Sequence, residues 1–120
     1  MKVAVTAERP DWDAPVDPRF GRAMSFLIVD TEARTLEAID NSSGRDAAQG
    51  AGIQAATTIS RSGAKALLTG HCGPKAFSAL SAAGITIYTG VTGTVAEAID
   101  RLNRGDLATA STSDVDGHWA

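Results

Sequence analysis

The stretch Ala66-Leu67-Leu68-Thr69-Gly70-His71-Cys72-Gly73-Pro74-Lys75-Ala76 decides how the rest of the chain is read. An apolar run of buried-strand character stops at Gly70. A helix begins at Pro74, since proline's missing N–H costs nothing in a first helical turn. Between them, two glycines flank His71, one of two histidines, and Cys72, the one cysteine. A strand end that meets a helix start presents unpaired N–H groups and the positive end of a helix dipole. The stretch therefore predicts a strand–loop–helix unit whose loop suits an anion.

Working toward the N-terminus, Gly63 ends a helix that spans about 46–62, with Ser43 or Asp46 as its cap. Ala48, Ala51, Ala55 and Ile59 form its narrow apolar stripe. Gly50 and Gly52 lie inside it and imply close backbone approach, to the sheet or to a ligand. Residues 41–45 read as a loop, and 35–40 alternate in polarity like a strand with one exposed face. Residues 25–30 (SFLIVD) are a strand by their β-branched and aromatic content. The prolines at 10, 15 and 18 exclude a helix from 8–22, where Trp12 is a lid or an exposed aromatic. Residues 2–7 form the first strand. Just before the second lies Asp17-Pro18-Arg19-Phe20-Gly21-Arg22-Ala23, in which Phe20 can anchor the loop, Gly21 turn it and Asp17 pair with an arginine.

Toward the C-terminus, a helix over 75–83 turns Phe77, Leu80 and Ala83 inward and stops at Gly84. A strand over 85–89 follows, then a second strand-to-helix loop at Gly90 to Gly93. A last helix over 94–103 buries Val95, Ile99 and Leu102 and ends at Gly105. The order β-β-β-α-β-α-β-α predicts one mixed sheet of about five strands flanked by about three helices. Ligands of such sheets sit beyond the carboxyl ends of the parallel strands, at the loops 70–73 and 90–93. Residues 1–107 form one domain, and the small polar residues 108–120 read as a flexible tail.

With 120 residues and 43% hydrophobic content, the chain can bury a core without disulfides. A single cysteine favours a reducing, cytoplasmic home. Nothing in it reads as a membrane span or a secretory leader. The net charge of −3 argues against nonspecific nucleic-acid binding. Its distribution says more. Nine of the 14 acidic residues precede Ala47, and none lies between Ala47 and Ala96, a span that holds Arg61, Lys65, His71 and Lys75. Greater burial of this half would explain that, and so would a surface suited to negative charge.

Catalytic signatures are weak. There is no P-loop and no GxGxxG. His71 and Cys72 are adjacent in a tight loop, where side chains diverge, so they make a poor nucleophile pair. Asp30 and Asp40 lie near strand ends, but the acid-free span removes the further carboxylates a two-metal hydrolase needs. One cysteine and two histidines are too few for a structural zinc site. Cys72, His71 and Met24 could hold a soft metal such as copper; otherwise they are a buried thiol, a loop imidazole and a core thioether. What remains is a glycine-lined, mildly positive surface, with Arg19, Arg22, Arg45 or Lys75 at hand for a multiply charged anion.

Several motifs together resemble the family of dinitrogenase iron–molybdenum cofactor biosynthesis proteins. They are Asp17 to Ala23 before a strand ending in Asp30, the helix with Gly50-Ala51-Gly52, Gly73-Pro74-Lys75-Ala76-Phe77, Ala83-Gly84-Ile85, and the closing Val115-Asp116-Gly117-His118-Trp119. The resemblance covers nearly the whole chain and is strongest to the orange-protein branch of sulfate-reducing bacteria. It implies a ribonuclease H-like mixed α/β fold, no catalysis, and non-covalent binding of a molybdenum–copper sulfide cluster or another molybdenum–sulfur or iron–molybdenum cluster. It also implies association with P-loop ATPases of the cell-division positioning type. The alternative reading is a protein-interaction or regulatory module for such a partner, with a vestigial cluster pocket. The expected contacts are Arg19, Phe20, Gly21 and Arg22, then Arg45, Gly50 and Gly52, and then Gly70, His71, Cys72, Gly73 and Lys75, with the loop 89–93 nearby. A ligand role for Cys72 does not carry over from the family.

Overall fold

Five strands form one sheet in the order β3-β2-β1-β4-β5: β1 Lys2–Ala7, β2 Ser25–Asp30, β3 Thr35–Asp40, β4 Ala66–Leu68 and β5 Thr86–Tyr88. The computed structural model describes residues 1–46 and 50–110, without the side chains of Ser43 and Arg45. β1 pairs antiparallel with β2 and parallel with β4, β2 pairs antiparallel with β3, and β4 parallel with β5. The mixed sheet read from the sequence is the one observed. β1, β2 and β4 are buried on both faces because both faces are covered, whereas in the edge strand β3 only Leu36 and Ile39 are half-buried, one against each layer, so it does not show the single exposed face expected from its sequence.

The helices are α1 Ser42–Arg45, α2 Ala51–Arg61, α3 Pro74–Ala82 and α4 Val95–Arg104. α2 and α3 pack side by side on one face, where Ala55, Ala56, Ile59, Ala76 and Leu80 meet Ala4, Phe26, Ile28, Leu67 and Ile87. α4 covers the other face, where Val95, Ala98 and Ile99 join Val3, Val5, Leu27, Val29 and Leu68. Burial of each Val, Leu, Ile or Phe side chain in these two layers contributes about 1.5–3 kcal/mol, and each alanine less.

Several details depart from the sequence reading. The segment 41–45 is a single helical turn rather than a loop, and α2 starts only at Ala51. Gly50 is therefore its N-cap and not an interior residue, with a left-handed φ of 79° that a glycine adopts without strain. Ala51, Ala55 and Ile59 do form the buried stripe, and Ala48 lies outside the described residues. In α3 the inward pair is Ala76 and Leu80, Phe77 is half-buried, and Ala83 is an exposed cap because the helix has already ended. Trp12 is neither a lid nor exposed. It packs half-buried against the α4-side core, with the Arg34 guanidinium 5.7 Å from its ring centroid. The amide of Ala110 donates to Ile87 O at 2.7 Å, along the outer side of β5. The remainder of the expected tail, 111–120, lies outside the described residues.

Candidate functional site

Register places every candidate loop at one end of the sheet. Ala7 pairs with Ser25 and Ser25 with Asp40, while Val5, Leu68 and Tyr88 align across β1, β4 and β5. The loops after β1, β3, β4 and β5 therefore emerge together. At this end the chain leaves β1 toward β2 and leaves β4 toward β5, so an open α/β sheet would have its crevice between β1 and β4. Here the chain itself fills that crevice. Val16 bridges to Ala7, Asp17 N–H donates to Thr6 O at 2.8 Å, and His71 N–H donates to Pro18 O at 2.7 Å. The Thr6 hydroxyl donates to Asp17 O at 2.7 Å and shares a 2.9 Å hydrogen bond with the Thr69 hydroxyl. A Cβ on Gly70 would lie 2.6 Å from Pro18 Cα, so glycine is required there by a crossing backbone. The His71 amide, expected to be open to a ligand, is spent on this crossing.

The loop 17–24 splits into an anchor and a rim. Phe20 is fully buried, 5.8 Å from Phe26 between ring centroids, and Gly21 is buried beside it. Neither is a surface contact. Arg19 and Arg22 are half-buried on the rim. Asp17, only 1% exposed, accepts from the amides of Arg19 and Met24, each at 3.1 Å, and forms an ion pair with Arg19, whose Nε lies 3.5 Å from Oδ1. Asn41, also buried, donates from Nδ2 to Gly21 O at 3.0 Å and Ala23 O at 2.9 Å. The sequence reading missed Asn41 and its neighbour Gly44, whose Cβ would lie 2.4 Å from Asn41 Oδ1. A polar residue directly after a strand, followed three positions later by glycine, was the only available signal.

Cys72 does not face the rim. Its side chain is fully buried in the apolar layer with Phe20, Ala23, Ala55 and Ala76, and Sγ lies 3.8 Å from Gly73 O. Met24, read as a core thioether, is instead 39% exposed, and His71 is half-buried. The three soft atoms thus do not share one environment. Gly52 is buried in the first turn of α2, Gly73 is the buried N-cap of α3, Lys75 is exposed on that helix, and the side chain of Arg45 lies outside the described residues. Among the described residues, no three His, Cys, Asp or Glu side chains form a group that could hold a metal ion. No helix among them is long and apolar enough to cross a membrane.

The three long helices all begin at this end, and their first turns differ. α4 is closed. Thr94 and Glu97 form a reciprocal capping box, at 2.9 and 3.1 Å, while Val95 N–H donates to Ala14 O and Ala96 N–H to Trp12 O. The amide and hydroxyl of Thr94 hold the Glu97 carboxyl below its ordinary pKa. An open groove of about 450 Å³ beside it is lined by Thr92, Gly93, Glu97, Asp100, Arg101 and Arg104. There Arg101 donates to Thr92 O and Arg104 pairs with Asp106 at 2.9 Å, so both arginines of the groove are engaged within the chain. The loop 89–93 consequently offers no free helix terminus. α2 and α3 are different: among the described residues no side chain caps either, and neither has an acid in its first turn. Both helices begin at the end of the sheet where the loop bearing Arg19 and Arg22 also lies, and each carries the positive end of its dipole there.

Asp30 and Asp40 cannot cooperate. They sit at opposite ends of the β2–β3 hairpin, roughly 16 Å apart by strand rise. Asp30 accepts from the amides of Ala33 and Glu32, which hold its carboxyl below the ordinary value and fix the turn to β3.

Comparison with known proteins agrees with this architecture. The chain superposes on the apo form of the orange protein of Desulfovibrio gigas with a TM-score of 0.93 and 44% identity, over 95% of this chain and 96% of that one. A Thermotoga protein of the DUF35 family gives a TM-score of 0.83 and 34% identity, over 97% and 98% of the two chains. An uncharacterized protein of Methanocaldococcus jannaschii is 33% identical over 110 residues, 89% of each chain. Residues 1–105 match the family described as dinitrogenase iron-molybdenum cofactor. With that match and these identities, the chain belongs to the dinitrogenase iron–molybdenum cofactor family.

Proposed function

We propose that this protein binds and carries an anionic molybdenum–sulfur cluster, in its most specific form a molybdenum–copper sulfide, without covalent attachment and without catalysis. One observation carries the reading: among the described residues α2 and α3 begin side by side without side-chain caps, at the same end of the sheet as Arg19 and Arg22, while α4 is capped. Each helix N-terminus favours an anion by about 0.3–1 kcal/mol, and a charge-assisted hydrogen bond adds about 1.5–3 kcal/mol. Two helices and one arginine then reach about millimolar affinity. Electrostatics alone would hold phosphate equally well.

The rim supplies a second kind of contact. Of the large hydrophobic side chains exposed among the described residues, Met24 (39%) and Ile53 (48%) belong to this end of the molecule, in the loop before β2 and the first turn of α2. A thioether and an aliphatic group favour a bulky, polarizable, weakly hydrated anion over a hard oxyanion. A sulfide-rich cluster has that character. Association with P-loop ATPases and a cytoplasmic location belong to the same proposal, the first resting on the family resemblance and the second on the single, buried thiol.

Incubating the metal-free protein with tetrathiomolybdate and a copper salt should give a stoichiometric visible chromophore that survives desalting, with inorganic phosphate a poor competitor. A colourless protein after desalting, or equal competition by phosphate, would refute the reading.

A further inference from the structure

Asp17 is a buried carboxylate that the anion site does not itself explain. A carboxylate 1% exposed is costly unless its oxygens are satisfied, and here two backbone amides and one ion pair satisfy them. Their identity is informative. Oδ1 takes the Arg19 amide at 3.1 Å and lies 3.5 Å from Arg19 Nε, while Oδ2 takes the Met24 amide at 3.1 Å. One side chain therefore ties together the residue bearing a rim cation and the residue bearing the exposed thioether. From the other side, Asn41 holds the carbonyls of Gly21 and Ala23.

Resting on the anion-carrier reading, we propose that Asp17 is the positioning residue of the site: it sets the spacing and orientation of Arg19 and Met24 before cargo arrives. Its negative charge would repel an anion at close range. It lies beneath the loop, however, and Arg19 is partly turned toward it through Nε while 43% of that side chain stays exposed. The net effect is a pre-organised cation, so little ordering entropy is lost on binding. Buried polar pairs that serve only stability do not act through one particular rim residue. This one should.

The test is a double-mutant cycle on tetrathiomolybdate binding, with Asp17→Asn and Arg19→Gln separately and together. Asp17→Asn should weaken binding about tenfold in the wild-type background and less than about threefold when Arg19→Gln is already present. Amide exchange at Arg19 and Met24 should accelerate in ligand-free Asp17→Asn, with β1 amides unchanged. Equal losses in both backgrounds, or none in either, would overturn the positioning role while leaving the carrier reading intact. Wild-type protein that fails to bind tetrathiomolybdate overturns the carrier reading and this inference with it. If Asp17→Asn does not fold, Asp17→Ser, which is smaller and keeps one acceptor, carries the same cycle.

Discussion

Replacing Gly70 with alanine tests the crossing on which the site is built. The new Cβ would lie 2.6 Å from Pro18 Cα and 2.7 Å from Pro18 O, against about 3.4 Å for ordinary contact. Both neighbours are backbone, so no side chain can swing away. Segment 17–19 must retreat by about 0.8 Å, enough to stretch the 2.7 Å bond from His71 N–H to Pro18 O beyond hydrogen-bonding range. The 2.7 Å bond from the Thr6 hydroxyl to Asp17 O lies on the same segment. Two lost hydrogen bonds at about 1 kcal/mol each, plus an overpacking strain of about 1–3 kcal/mol, give a loss of about 3–5 kcal/mol. For a domain of this size the melting midpoint should fall by about 10–20 °C.

The assay is urea unfolding followed by circular dichroism, with Gly84→Ala as control. Gly84 has a φ of 78° and nothing within 4 Å of its Cβ position, so its substitution carries only the left-handed backbone penalty of about 1 kcal/mol. Gly70→Ala should be clearly the worse of the two and should also weaken tetrathiomolybdate binding, because Arg19 moves with Pro18. Equal stability of the two variants would refute the crossing argument.

Thr94→Ala should cost about 1 kcal/mol through loss of the α4 cap while leaving cargo binding unchanged; a binding defect would show that the 89–93 loop belongs to the site after all. Because the folded state lowers the Glu97 pKa, its contribution to stability is present above the unfolded-state value and is lost as pH falls through the folded-state value. Wild-type protein should therefore lose more stability than Glu97→Gln on acidification across the carboxylate range, as read by unfolding midpoints; parallel pH profiles would contradict this. Cys72→Ser places a hydroxyl in an apolar layer and should cost about 1–3 kcal/mol of stability, with chromophore stoichiometry preserved. A stoichiometry that falls with the thiol would make Cys72 a ligand.

The strands over 2–7, 25–30 and 35–40 were readable to the residue because alternation, β-branching and turn residues are local signals. The helices were legible too, but their faces were less so. Ala83 lost its expected burial because α3 stops at Ala82, and Met24 proved exposed because the loop turns on Phe20 instead. Of the candidate site, the loops were legible as glycine-rich strand ends, whereas their availability was not. The His71 amide, all of the α4 terminus and the thiol of Cys72 turned out to be engaged by other parts of the chain.

Taken alone, the sequence determined the order of elements, the mixed sheet and an acid-free half that opens with Gly-Pro at a helix start, since each depends on residues near one another in the chain. Only the tertiary structure decided which of the three long helix starts is closed by a side-chain cap, among the described residues. Around them the contacts run over long separations: Ala14 and Trp12 closing α4, Pro18 lying across Gly70, and Asn41 reaching Gly21 and Ala23. Such contacts exist only once the sheet has brought distant loops to one end, so no local pattern announces them.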